Sequence, residues 1–209
     1  MKGFLRLFPL NWVVFPEERV NLHIFEPRYR QLINECKESG ESFGIPFYKE
    51  GVGSHGTIAE IESIKKRYSD GRMDITVKGL EPFELYTFLP VVEGRLYPGG
   101  KVKSIPVTYS YEDADATLLE VLIGQFFELI GSRPVVVADH SRLSFAYGHK
   151  IGLGPEHELE LLLLGDESSR QAFLIDHLER LLPTLRHVET TKNRIQMNGH
   201  FKNFDTLEF

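Results

Sequence analysis

Between residues 72 and 78 the side chains of Met73, Ile75 and Val77 alternate with Arg72, Asp74, Thr76 and Lys78. That period of two gives a strand one buried face. Ser69-Asp70-Gly71 stands just before the run, and Asp-Gly favours a tight hairpin because glycine accepts positive φ. The sequence therefore predicts residues 57–68 as the antiparallel partner. Ile58, Ile61 and Ile64 recur there every third residue, so this strand is assigned from the hairpin and not from its own period. Residues 12–15 and 83–88 read as further short strands among the prolines and glycines of the first half. The N-terminal MKGFLRLFPLNWVVFP also reads as strand. Arg6, Pro9 and Pro16 interrupt it, and no small-residue cleavage site follows, as a signal peptide would require.

One helix interrupts this half. Pro27 suits a first helical position, Tyr29, Leu32, Ile33 and Cys36 fall at helical spacing, and Gly40 ends the run. After Glu112 the texture changes: Leu118, Leu119, Leu122, Phe126, Leu129 and Ile130 form a helical stripe that Gly131 stops. Residues 144–152, 155–164 and 168–182 give three more apolar-striped helices, separated by Gly152-Leu153-Gly154-Pro155 and Gly165-Asp166. The expectation is an α+β protein with a boundary near 108–113, β-rich over residues 1–110 and a small helical bundle over 111–209. Ile195, Met197, Phe201 and Phe204 are expected to anchor the polar C-terminal stretch on the bundle or a neighbouring molecule. Residues 161–164 form the longest apolar run near the C-terminus, far short of the roughly 18 residues of a membrane span.

Composition narrows the function classes. A chain of 209 residues, 42% hydrophobic and 26% charged, can bury a core and is neither disordered nor a rod. Twenty-four basic against thirty acidic side chains leave a net charge of −6, which repels a phosphate backbone unless a basic patch is segregated on one face. The single cysteine, Cys36, forms no internal disulfide and suits a reducing compartment, so a cytoplasmic location is expected.

Several fragments carry the letters of catalytic motifs without their context. Residues 51–56 match GxGxxG, but a hairpin strand follows where a phosphate site needs a helix N-terminus, and the segment reads as a turn. In residues 94–101 the lysine of a phosphate loop comes one residue late, and Val102 replaces the magnesium-holding hydroxyl. His157-Glu158-Leu159-Glu160-Leu161 lacks the second histidine of a zinc helix. Glu156, Glu158 and Glu160 read as a solvated face. Asp139-His140-Ser141 holds triad letters as sequence neighbours, which rarely face each other. No metal, cofactor or catalytic residue is expected.

A more specific signal lies in Leu7-Phe8-Pro9-Leu10, Val14-Phe15-Pro16 and Leu22-His23-Ile24-Phe25-Glu26-Pro27-Arg28-Tyr29, continued by Phe43-Gly44-Ile45, the glycine turn of 53–57, Asp70-Gly71-Arg72 and Gly79. In this order the segments resemble the N-terminal domain of Lon proteases, over nearly the whole chain. The resemblance implies a PUA-like β pseudo-barrel with the helix of 27–39 inserted, then a helical bundle. It also implies a stand-alone substrate-binding module, because the chain ends at Phe209 before any ATPase or Ser-Lys protease domain. Such a module binds and does not cut. At 79–83 the family usually carries an arginine before the phenylalanine, where this chain has Pro82.

On the residues alone, Glu26 and Arg28 are expected to bridge barrel and helix, with Phe25 and Tyr29 packed beneath. Three functions are weighed: polypeptide binding through an exposed apolar groove, PUA-like nucleic-acid binding, and a hydrolase using His140 or His149. Lys65-Lys66-Arg67-Tyr68 is the best basic cluster, placed at a hairpin tip as a solubilising run. With 15 Phe and 8 Tyr, more aromatics are present than a small barrel buries. The polypeptide site is expected in the cleft between barrel and bundle, lined by Phe88, Leu89, Tyr97, Tyr109 and Tyr111.

Overall fold

The computed structural model describes the backbone of residues 2–201 and the side chains of residues 3–192. The predicted hairpin is its spine. Strands β4 (Val52–Arg67) and β5 (Met73–Leu89) pair antiparallel across a turn in which Gly71 has φ +85°. Gly71 N donates to Tyr68 O at 3.0 Å. The alternating residues Met73, Ile75 and Val77 are fully buried. The strands expected at 72–78 and 83–88 are one strand of 17 residues. It passes unbroken through Gly79 and Pro82 because β4 is long enough to accompany it, with register shifts between Ile58 and Ala59 and further along.

Among the described residues six strands occur: β1 (Lys2–Arg6), β2 (Arg19–Ile24), β3 (Phe43–Tyr48), β4, β5 and β6 (Gly99–Ser104). They pair antiparallel in the order β1-β6-β5-β4-β3, and β2 lies against the first half of β5. The sheet then returns on itself. Past β1 the chain runs parallel to β3, with Phe8 N donating to Gly44 O at 2.8 Å and Leu10 N to Pro46 O at 3.2 Å. Gly44 permits this seam, since a Cβ there would stand 2.7 Å from Leu7 Cδ2.

Residues 12–15, expected as a strand, form none: Trp12 lies in a bend and 13–15 have no regular structure. Val13, Val14 and Phe15 are all buried, with Val13 and Phe15 in the helical core and Val14 in the barrel core. The run's backbone groups are met without a ladder: Phe15 N donates to Glu18 Oε2 at 2.8 Å, Phe15 O accepts from Glu18 N at 3.1 Å and Val14 O accepts from Thr57 Oγ1. Gly79 lets the run pass, because a Cβ there would lie 2.2 Å from Phe15 O. Glu17 N donates to Gly79 O and Gly79 N to Glu18 O, at 2.8 and 2.9 Å.

Helix α1 (Pro27–Ser39) buries Tyr29, Leu32, Ile33 and Cys36, as their spacing predicts, and Gly40 caps it at φ 72°. The sheet ends at Ser104, and α2 (Asp113–Leu129) opens the helical part. A 3-10 turn (His140–Arg142), α3 (Leu143–Tyr147), α4 (Pro155–Leu163) and α5 (Glu167–Phe201) follow. The helix expected over 144–152 is only five residues long, and α5 runs well past 182 and through Pro183. Of the expected C-terminal anchors, Phe204 and the side chains of Ile195, Met197 and Phe201 lie outside the described residues.

The linker is tied to the bundle by a buried polar network. Glu167 and Arg170 are both fully buried. Glu167 accepts from Ser144 N at 2.9 Å, Ser144 Oγ at 2.7 Å and Arg170 Nε at 3.0 Å. The Arg170 guanidinium also donates to Thr108 O at 2.7 Å and Leu164 O at 2.9 Å. Each buried charge is thereby paired and hydrogen-bonded, the condition for tolerating it in a core.

Candidate functional site

The barrel carries an open groove of about 730 Å³ built from the same sequence segments that stood out above. One wall is the seam of Phe8, Pro9 and Leu10; the other comes from the end of β2 and the start of α1. The rim is completed by Tyr48, Phe88, Pro90 and Pro98. Strand alternation places its most exposed ring. Ile24, the last residue of β2, is 1% exposed and points inward, so Phe25 points outward and is 60% exposed. Contrary to the expectation that it packs beneath the Glu26–Arg28 pair, Phe25 projects into solvent beside His23, 6.2 Å away between ring centroids.

Tyr29 does pack inward, at 8% exposure, with its ring 4.2 Å from that of Phe8 and the Arg28 guanidinium 4.6 Å above it. Burial raises its hydroxyl pKa, against the opposing effect of Arg28. Arg28 Nε donates to Glu26 Oε2 at 2.9 Å. The pair is local and exposed, so it contributes at most about 1 kcal/mol and does not bridge barrel to helix. His23 is held by Asp74 at 2.6 Å, and the contacts of His23 and then Tyr68 keep the Asp74 carboxyl below its ordinary pKa. Glu26 and Arg28 at the groove are thus paired with each other, while Phe25, Tyr48 and Phe88 are exposed around it. Prolines 9, 90 and 98 add no N–H donors to its walls. The lining is mixed: aromatic and aliphatic faces predominate, beside His23, Glu26 and Arg28.

The five residues expected to line one cleft are not together. Phe88 lines the groove and Leu89, exposed beside it, does not. Tyr97 is 2% exposed, so it cannot line an open surface: Arg6 Nε donates to its hydroxyl at 3.2 Å, and that hydroxyl donates to Glu35 of α1. Tyr109 packs on the helical core between Arg142 and Arg170, and Tyr111 lies half-buried near His140. The junction of barrel and helices has its own pocket of about 370 Å³, lined by Trp12, Phe145, His149 and neighbours and by none of the five. Phe25 and Tyr48 were missed as groove residues. The inward position of Ile24 was the available signal for Phe25.

The other motifs serve the fold. Gly56 lies within β4, where a Cβ would meet Ile45 O at 2.2 Å, so the glycine-rich run is a close strand contact more than a turn. Ser141 Oγ donates to Asp139 at 2.6 Å while His140 pairs with Glu120 at 3.0 Å, so the three neighbours form no relay. His149 pairs with Glu18 and with Glu158, which leaves the solvated face expected for it. Cys36 is buried, and that burial pushes its thiol up to about 11, away from a nucleophilic thiolate. In the basic run, Lys65 donates to Asn21, Arg67 to Asn34, and Lys66 lies over the Tyr68 ring. Among the described residues no cluster of metal-ligating side chains occurs and no helix is long and apolar enough to cross a membrane.

Two solved structures share this architecture. A Lon N-terminal domain protein from Xanthomonas campestris superposes with a TM-score of 0.64 at 24% identity, covering 87% of this chain and 98% of its own. The N-terminal domain of the Mycobacterium avium complex Lon protease superposes with a TM-score of 0.61 at 18% identity, covering 85% and 98%. At such identities the likeness establishes the α+β fold, barrel and bundle together. A sequence model of one family matches residues 5–198, and by that match the chain belongs to the family of the ATP-dependent protease La (LON) substrate-binding domain.

Proposed function

We propose that this chain is a non-catalytic, cytoplasmic binding module that docks exposed apolar polypeptide segments in the barrel groove. The observation that carries the reading is the ring of exposed Phe25, Tyr48 and Phe88 around a proline-walled groove whose charges are already paired. A module that accepts non-native chains needs apolar contact without a fixed hydrogen-bond pattern. Aromatic side chains supply large contact area at low entropic cost. The family's substrate-binding description supports the same reading. The pairing of Lys65, Lys66 and Arg67 within the fold, with the net charge of −6, weighs against nucleic acid as the ligand.

The test is a peptide array followed by fluorescence anisotropy on the apolar hits. Phe25→Ala and Phe88→Ala are each expected to weaken binding about tenfold, the effect of losing one central contact. Tyr109→Ala, on the helical side, should leave it unchanged. Absence of any apolar hit, or affinity indifferent to both groove variants, would remove the proposed site.

A further inference from the structure

His149 occupies the junction between barrel and bundle, with only 14% of its side chain exposed. Its Nε2 lies 3.1 Å from Glu18 Oε2 and its Nδ1 2.9 Å from Glu158 Oε1. Glu18 belongs to the segment hydrogen-bonded to Gly79 of β5, whereas Glu158 belongs to α4. Carboxylates only accept, and a neutral imidazole has one N–H and one bare lone pair. Both contacts are hydrogen bonds only when the ring carries both protons. We propose that His149 is a proton-operated latch that holds the helical bundle on the barrel.

The surrounding charges leave this role to His149. Glu17 is taken by Lys78 at 2.8 Å and Arg142 at 3.2 Å. Glu156 is taken by Lys49, and Lys150 lies over the Tyr147 ring. Among the described residues, no other side-chain cation pairs with Glu18 or Glu158. Burial opposes the charged ring, but hydrogen bonds and charge from Glu18 and then Glu158 outweigh it and raise the pKa above 6.5. A raised folded-state pKa fixes the sign: the stabilisation is fully present below the unfolded value and is lost as pH rises through the folded one. Deprotonation then turns one bare nitrogen toward a carboxylate, and one half of the latch lets go.

The chain has a single tryptophan, Trp12, and its ring centroid stands 4.7 Å from that of His149. It reports the latch directly, because an adjacent imidazolium quenches indole emission. A titration of the full chain from about pH 5 to about pH 9 is expected to show one emission step, with its midpoint above the ~6.5 of an unperturbed histidine. His149→Phe should lose the step, and Glu158→Gln should shift the midpoint downward. A midpoint at or below the ordinary value, a step that survives His149→Phe, or a midpoint unmoved by Glu158→Gln would overturn the proposal. Should a variant fail to fold by circular dichroism, amide exchange of the wild type decides. Protection of α4 falling above the midpoint supports the latch, and protection unchanged across it refutes the latch.

Discussion

Phe15 and Phe25 stand in similar words, Val14-Phe15-Pro16 and Ile24-Phe25-Glu26-Pro27, yet one is fully buried and the other 60% exposed. The first belongs to a run drawn into two cores at once, its ring stacked on Phe145 at 5.2 Å. The second follows the inward-pointing end of a strand and is thrown outward by the pleat. An aromatic residue beside a proline therefore carries no fixed role here. What lies across from it decides whether the ring joins two bodies or waits for a ligand.

Phe15 is the costlier of the two rings to lose. Phe15→Ala is expected to destabilise the fold by about 3–5 kcal/mol, as a large cavity in a shared core does; a chemical-denaturation midpoint close to wild type would show that the two cores are independent. Gly148→Ala probes the same contact from the helical side, because a Cβ there would sit 2.5 Å from the Phe15 ring. Overpacking of about 1–3 kcal/mol is expected, and a neutral result would mean that the ring has room to move. Phe25→Ala should change stability by no more than about 0.5 kcal/mol while weakening peptide binding. A large drop in melting temperature would place Phe25 in the core after all.

Local signals in the sequence reached far where structure is local. The Asp70-Gly71 hairpin, the Pro27-to-Gly40 helix and the existence of α2 follow from turn chemistry and period and stand in the fold. The α2 stripe is shifted: Leu118 and Ile130 are exposed, and Ile123 and Phe127 join Leu119, Leu122 and Phe126 on the buried face. The failures concern residues whose surroundings come from distant sequence. Residues 12–15 look like a strand until the bundle is present to take Val13 and Phe15. Tyr97 looks exposed until Glu35, 62 positions earlier, is brought to its hydroxyl. Of the candidate site, Phe88 is named by the sequence for a cleft between barrel and bundle and lies instead at the barrel groove. Tyr48 is not named, because the groove it borders is made by the return of the chain along β3.

The seam and the shared core also set an order of assembly. β1 pairs with β6, Lys2 opposite Lys103, and Phe15 rests on residues beyond 140. At typical synthesis rates the roughly 100 to 130 residues between these partners take about 5–25 s to make. For that interval β1 and Phe15 have no partner. Their apolar side chains are made long before they are enclosed, so this stretch is where a nascent chain most needs shelter from its neighbours.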